Sequence, residues 1–175
     1  MSIPSRPSDP SSASYSPRTF FVTSRTAGGR SLFQTERMAS LLIDVLRFYM
    51  RAGKITIHDF VIMPNHVHIL MTLPGETTLE KAMQLIKGGF SFRASRELGF
   101  SGEIWQRGYS DVRILDHKSF QQHREYIDNN PAKAGLAHAP EEYPFGTAYL
   151  KKQKRSGAKA QGLLEVSIGT TEVVP

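Results

Sequence analysis

The chain has 175 residues, a net charge of +6 and no cysteine, so disulfides, zinc ribbons and thiol catalysis are excluded and any metal has to take nitrogen and oxygen ligands. That length fits one folded domain with a core of moderate size, and the basic balance favours a polyanionic partner such as nucleic acid or an acidic membrane surface. No run approaches the roughly 18 apolar residues of a membrane span and no signal-peptide pattern opens the chain, so a soluble, cytoplasmic protein with no membrane partner is the expectation.

Residues 1–17 are rich in Ser and Pro with few large apolar groups, and such a stretch cannot offset the entropy of ordering; a disordered tail is expected. A first strand is predicted at Arg18 to Ser24, before the turn-forming Gly28 and Gly29. Met38, Leu42, Val45, Leu46 and Tyr49 then recur at helical spacing from Thr35 to Ala52, with Gly53 as a stop. Two β-rich runs, Ile55 to Met63 and His66 to Leu73, are separated only by Pro64 and Asn65 and predict a tight antiparallel hairpin.

Thr77-Thr-Leu-Glu80 reads as a capping box for a second helix carrying Leu79, Met83, Ile86 and Phe90. Gly88 and Gly89 predict that this helix bends or ends there. A fourth strand is expected at Tyr109 to Leu115, and Asp116 caps a last helix from His117 to Asn130, stopped by Pro131. The order β-α-β-β-α-β-α describes a ferredoxin-like α+β sandwich with an antiparallel sheet, plus a C-terminal helix left free to carry function. The domain is set at 18–150, and the basic stretch from Lys151 onward is expected to be a flexible tail over 151–175.

Within this framework, His66 and His68 lie one residue apart in a β-branched segment and so share one face of a strand. If Val67 and Ile69 turn into the core, two imidazoles about 7 Å apart at Cα can converge on one ion. The bland alternative is a hydrogen-bonded core or rim histidine. Two imidazoles and one oxygen leave coordination positions open, which suits a catalytic Mg²⁺ or Mn²⁺ better than a closed zinc site.

Tyr126 and Asn130 are four apart on the last helix and share its face. Asn130 is the candidate third ligand, or else simply a helix cap before Pro131. Tyr126 lies about 120° around the axis from Phe120, the apolar stripe, which makes it a candidate nucleophile rather than a packed aromatic. Ionising a phenol of ordinary pKa at pH 7 costs roughly 4 kcal/mol, a demand that a cation-bound phosphate lessens. The metal would act as a Lewis acid on a phosphate oxygen while the tyrosine oxygen attacks in line. Lys87, Arg93, Trp105 and Arg107 offer phosphate contacts and a stacking surface for unpaired bases, with Lys133 as a further candidate contact; a packed core and a solvated surface explain them equally well.

Three blocks, Met63-Pro-Asn-His-Val-His-Ile-Leu70, Ile104-Trp-Gln-Arg-Gly-Tyr109 and Tyr126-Ile-Asp-Asn-Asn-Pro-Ala-Lys-Ala-Gly-Leu136, resemble the single-tyrosine HUH transposases, specifically the REP-associated tyrosine transposases, across residues 18 to 150. The resemblance implies that His66 and His68 bind the metal, that Tyr126 attacks single-stranded DNA and that Asn130 stands where the family supplies another metal-side ligand. It also implies Mg²⁺ or Mn²⁺ as cofactor and imperfect hairpins of repetitive palindromes as partners. Insertion-sequence relatives work as dimers that exchange the tyrosine helix, so a homodimer is an open expectation. One departure stands out: the family often has a histidine after the aspartate in the block following the Trp, where this chain has Val112 after Asp111. Two other classes stay open, a non-catalytic single-strand-binding module and a metal-dependent hydrolase using activated water.

Overall fold

A computed structural model describes residues 16–167, with side chains described over 16–157. The elements in chain order are β1 (Arg18–Arg25), α1 (Glu36–Arg51), β2 (Thr56–Met63), β3 (His66–Leu73), α2 (Leu79–Leu98), β4 (Ser110–Ile114), α3 (His117–Lys133) and α4 (Thr147–Ser167). The four strands form one antiparallel sheet in the order β2-β3-β1-β4. This is the α+β sandwich expected from the hydrophobic pattern. Most of the expected tail 1–17, and residues 168–175, lie outside the described residues.

Side-chain alternation in β3 divides the structure into layers. Val67, Ile69, Met71 and Leu73 face α1 and α2, where they meet Leu42, Leu46, Met83, Ile86 and Phe90 in the larger core cluster. Leu70 faces the other way, with Val61, Met63 and Phe21, and is covered by Ile127 of α3 and by Tyr143. His66 and His68 share that second face. The hairpin turn is Pro64-Asn65, closed by the Met63↔His66 pair.

A β-bulge in β2 has a specific effect. Ile57 pairs with Met71 and Asp59 with Leu70, so His58 is the extra residue. A one-residue slip changes the face to which every later side chain points. Asp59 is thereby turned toward α3, where it is buried.

Several expected boundaries shift. Thr78, not Thr77, is the N-cap of α2, its hydroxyl accepting from Lys81 N. α2 also runs unbroken through Gly88 and Gly89 to a left-handed C-cap at Gly99. Gly89 is where α2 approaches α1: a Cβ there would lie 2.6 Å from Tyr49 Oη. Close packing, not a break, accounts for that glycine.

α3 continues past Asn130 and contains Pro131. It ends in a Schellman arrangement, Leu136 N donating to Pro131 O and Gly135 N to Ala132 O, with Gly135 at φ 69°. Pro131 is buried, so burial outweighs the one helical hydrogen bond that its missing N–H forgoes. Asn130 is therefore not the helix cap; Ala134 is.

The boundary expected at residue 150 falls inside α4. The run from Lys151 to Arg155 is helical, in keeping with the good helix propensity of Lys, Gln and Arg, and Lys151 Nζ binds Asp59 at 2.5 Å. The segment before α4 covers the free edge of β2, a site that otherwise invites pairing with another chain: Ile62 N donates to Phe145 O and Tyr143 Oη to Ile62 O.

Candidate active site

The two histidines are held from behind. His66 Nδ1 donates to Asn65 Oδ1 at 2.7 Å, because a carboxamide oxygen only accepts. His68 Nδ1 pairs with the Thr23 hydroxyl at 2.7 Å across the β1–β3 ladder. The ring centroids are 4.8 Å apart. Anchoring one ring nitrogen orients the other as a ligand and fixes its tautomer. His68 is 4% exposed, and its Nε2 is buried with no hydrogen-bond partner among the described residues. Burial, with His66 and Arg25 nearby, lowers its pKa to about 3; burial and Arg25 lower that of His66 as well. Both rings are thus neutral at physiological pH, the form that binds metals.

Tyr126 stands edge-on to His68 with centroids 5.2 Å apart and edge-on to Phe21 at 5.7 Å. It is 43% exposed and opens into a hollow of about 260 Å³ shared with Phe21, Gln122 and His123. Phe21 also stacks on His68 at 5.4 Å, so one aromatic ring sets the spacing between tyrosine helix and histidine strand. Lys133 Nζ is 5.6 Å from the Tyr126 ring centroid.

The residues present fit a catalytic divalent cation. An orphaned, neutral, pre-oriented imidazole beside a second one is the donor set of an open site. No group of three or more His, Asp or Glu able to hold a metal occurs among the described residues, so a closed site made from these ligands is not built here. Asn130 lies one turn beyond Tyr126 on α3, partly exposed, and its side chain makes no hydrogen bond among the described residues.

The other sequence candidates divide. Trp105 is 7% exposed and packs between Phe33 and Phe90, its Nε1 donating to Lys87 O; it belongs to the core and offers no stacking surface. Lys87 Nζ donates to Gln106 O and Gly108 O, and Arg93 is paired with Glu97. All three belong to α2 or its packing, and the stacking role expected of Trp105 is corrected because its ring is buried. Arg107 is exposed near Thr23 and Arg25.

Sequence reasoning missed Thr23, Arg25 and Phe21. The alternation Phe21, Thr23, Arg25 in β1 carried the signal, but it becomes legible only once the register with β3 is known. It also missed Asp59, whose carboxylate binds Arg124 of α3 at 2.7 Å and Lys151 of α4 at 2.5 Å.

This fold, an antiparallel sheet with helices packed on both faces, is that of a class of transposases. Residues 20–130 match the family described as transposase IS200 like, and the chain belongs to that family. A REP-associated tyrosine transposase of Escherichia coli K12 is 27% identical over 130 residues, which cover 74% of this chain and 75% of that protein. A Haemophilus influenzae protein given the same name provisionally is 28% identical over 142 residues, covering 70% of this chain and 81% of its own. A solved structure of a REP-associated tyrosine transposase bound to a REP hairpin aligns with a TM-score of 0.68 at 26% identity, over 85% of this chain and 84% of the other.

Proposed function

We propose that this protein nicks and rejoins single-stranded DNA at hairpins of palindromic repeats, in DNA transposition, with Tyr126 as nucleophile and Mg²⁺ or Mn²⁺ as cofactor. The observation that carries this reading is the placement of an exposed phenol edge-on to a buried imidazole whose Nε2 has no partner. His66 and His68 would hold the cation, with the Asn130 amide oxygen as third ligand. When bound, the cation supplies Lewis-acid polarisation of a non-bridging oxygen of the scissile phosphate.

Tyr126 Oη forms a bond to phosphorus as the bond from phosphorus to O3′ breaks. The phenolic proton passes to solvent, and O3′ takes up a proton to leave as a 3′-hydroxyl. The product is a 5′-phosphotyrosine ester. Attack on that ester by another 3′-hydroxyl restores the phosphodiester and the phenol, so the bond energy is kept and no external energy source is required. Phe21 and the face of β3 fix the tyrosine helix against the histidines, which supplies orientation before the substrate arrives.

The substrate reading is supported by likeness to a protein whose structure is bound to a REP hairpin. The test is incubation with Mg²⁺ or Mn²⁺ and hairpins from the DNA flanking the gene, with a denaturing gel to reveal a covalent protein–DNA band. The band is expected for the wild type and absent in Tyr126→Phe, which should still bind DNA. Normal cleavage by Tyr126→Phe would remove the proposed nucleophile, and product released without covalent protein would point to activated water.

A further inference from the structure

The block Ile104-Trp-Gln-Arg-Gly-Tyr109 takes no part in the histidine and tyrosine constellation, yet it is firmly built. Trp105 anchors it in the core. Ala27 N donates to Ile104 O and Gln106 N to Arg25 O, both at 2.9 Å. Lys87 Nζ donates to the carbonyls of Gln106 and Gly108 at 2.9 and 2.8 Å. Gly108 takes φ 70°, a left-handed turn that favours glycine. These contacts fix the backbone on both sides of Arg107 and tie it to the end of β1.

Between this loop and the strands lies a hollow of about 200 Å³ lined by Arg25, Arg107, the hydroxyl residues Thr23, Ser110 and Tyr109, and backbone of the loop. No Asp or Glu lines it. Neither guanidinium makes a hydrogen bond or ion pair within the described residues. Two unpaired guanidiniums and several hydroxyls in one hollow form a site for an oxyanion, which guanidinium recognises through paired N–H donors. Its position is as informative as its charge: Thr23 bonds His68, and Arg25 lies directly across the ladder from His66. Directly opposed side chains on a ladder are about 5 Å apart at Cβ, so the hollow adjoins the histidine pair.

We propose that this hollow is a second phosphate subsite, in which Arg25 and Arg107 clasp a backbone phosphate of single-stranded DNA next to the one attacked by Tyr126. The inference rests on the reading of the protein as a single-strand nuclease and adds where the strand runs: from the tyrosine, past the histidines, toward the edge formed by β4. The loop of the Trp block is then a rigid cradle for Arg107. Holding the neighbouring phosphate limits the scissile one to a single register against Tyr126.

The experiment uses the full chain carrying Tyr126→Phe, so that binding is read without cleavage, and a fluorescent hairpin oligonucleotide with a single-stranded flank. Each phosphate contact on a single strand contributes about 0.7 to the slope of log affinity against log salt. Arg25→Gln combined with Arg107→Gln removes the one phosphate contact of the hollow and is expected to reduce that slope by about 0.7 and to weaken binding tenfold or more at low salt. Arg37→Gln with Arg51→Gln, an equal charge loss on exposed α1 positions in the opposite layer, is the control and should leave the slope unchanged. Both arginines of the hollow are exposed or loop-borne, so a thermal melt should match the parent in either double variant. If the hollow pair behaves like the control, the subsite is refuted. If the wild type binds hairpins without a covalent band, the nicking reading falls while the subsite is still measured; if it binds no hairpin at all, both fall.

Discussion

Asp59 is the structural keystone between sheet, tyrosine helix and α4, and its energetics can be worked from the geometry. The carboxylate side chain is 2% exposed and touches Arg124 at 2.7 Å and Lys151 at 2.5 Å, while the cation side chains are 36% and 47% exposed. The Thr147 hydroxyl lies 3.2 Å from Asp59 Oδ1. At an effective dielectric constant near 20, each contact has a gross attraction of about 6 kcal/mol, but partly exposed cations keep much of their hydration and rotamer freedom, so the net value of each is about 1 kcal/mol. Either cation alone can neutralise the carboxylate. Arg124→Met or Lys151→Met is therefore expected to cost about 1 kcal/mol singly. Removing both leaves a buried carboxylate with no counter-charge, a defect of about 3–5 kcal/mol. The double variant should thus be less stable than the sum of the singles by about 1–3 kcal/mol, within the range of coupling seen for residues sharing a network. Urea unfolding of the four proteins, at constant m-value, measures this cycle. Additivity within about 0.5 kcal/mol would show that Asp59 does not depend on shared compensation and would refute the keystone argument.

Two glycines in α2 separate propensity from packing. Gly88→Ala meets no atom within 4 Å and should stabilise by about 1 kcal/mol through helix propensity alone, whereas Gly89→Ala places a methyl 2.6 Å from Tyr49 Oη and should lose about 1 kcal/mol net, since overpacking outweighs the propensity gain. Equal stabilisation in thermal melts of both would contradict the close α1–α2 approach. Thr23→Val preserves shape while deleting the hydroxyl that pairs with His68 Nδ1; calorimetric titration with Mn²⁺ is expected to show affinity reduced tenfold to hundredfold, the usual effect of losing an orienting partner behind a metal ligand. Unchanged affinity would mean that His68 is oriented by packing against Phe21 alone.

Much of the fold was legible because its elements announce themselves locally. The alternation of β3 and the stripe of α1 encode their own faces, and the Pro64-Asn65 pair marks the hairpin turn. What escaped depends on partners distant in sequence. Gly88 and Gly89 read as a break because the ring of Tyr49, which explains Gly89, is forty residues away in the chain. Pro131 reads as a stop because its burial is invisible in a sequence. Trp105 stays open between a stacking surface and a core residue because cations near an aromatic look the same whether the ring stacks on a base or fills a core. The candidate site shows the same division. His66, His68 and Tyr126 were recoverable from local spacing, whereas Thr23 and Arg25 needed the β1–β3 register, and Asp59 needed a bulge that no periodicity records.

The departure at Val112 bears on how the proposed chemistry handles protons. Val112 pairs with Phe21 in the β1–β4 ladder, and Phe21 touches both His68 and Tyr126, so the position belongs to the histidine face. Its side chain is substantially exposed and apolar, and it can neither accept nor deliver a proton. An imidazole is nonetheless present in the hollow before the tyrosine: His123, one turn earlier on α3, lines it and packs its ring 4.7 Å from Phe21. His123 Nδ1 donates to Ser119 O at 2.7 Å, which leaves Nε2 as the ring nitrogen not engaged by the helix backbone. The tyrosine helix therefore carries both the proposed nucleophile and an imidazole in the same opening, while the sheet supplies the histidine pair and Arg25. That division explains why the orientation of α3, fixed by Phe21 on one side and Asp59 on the other, decides whether these parts meet.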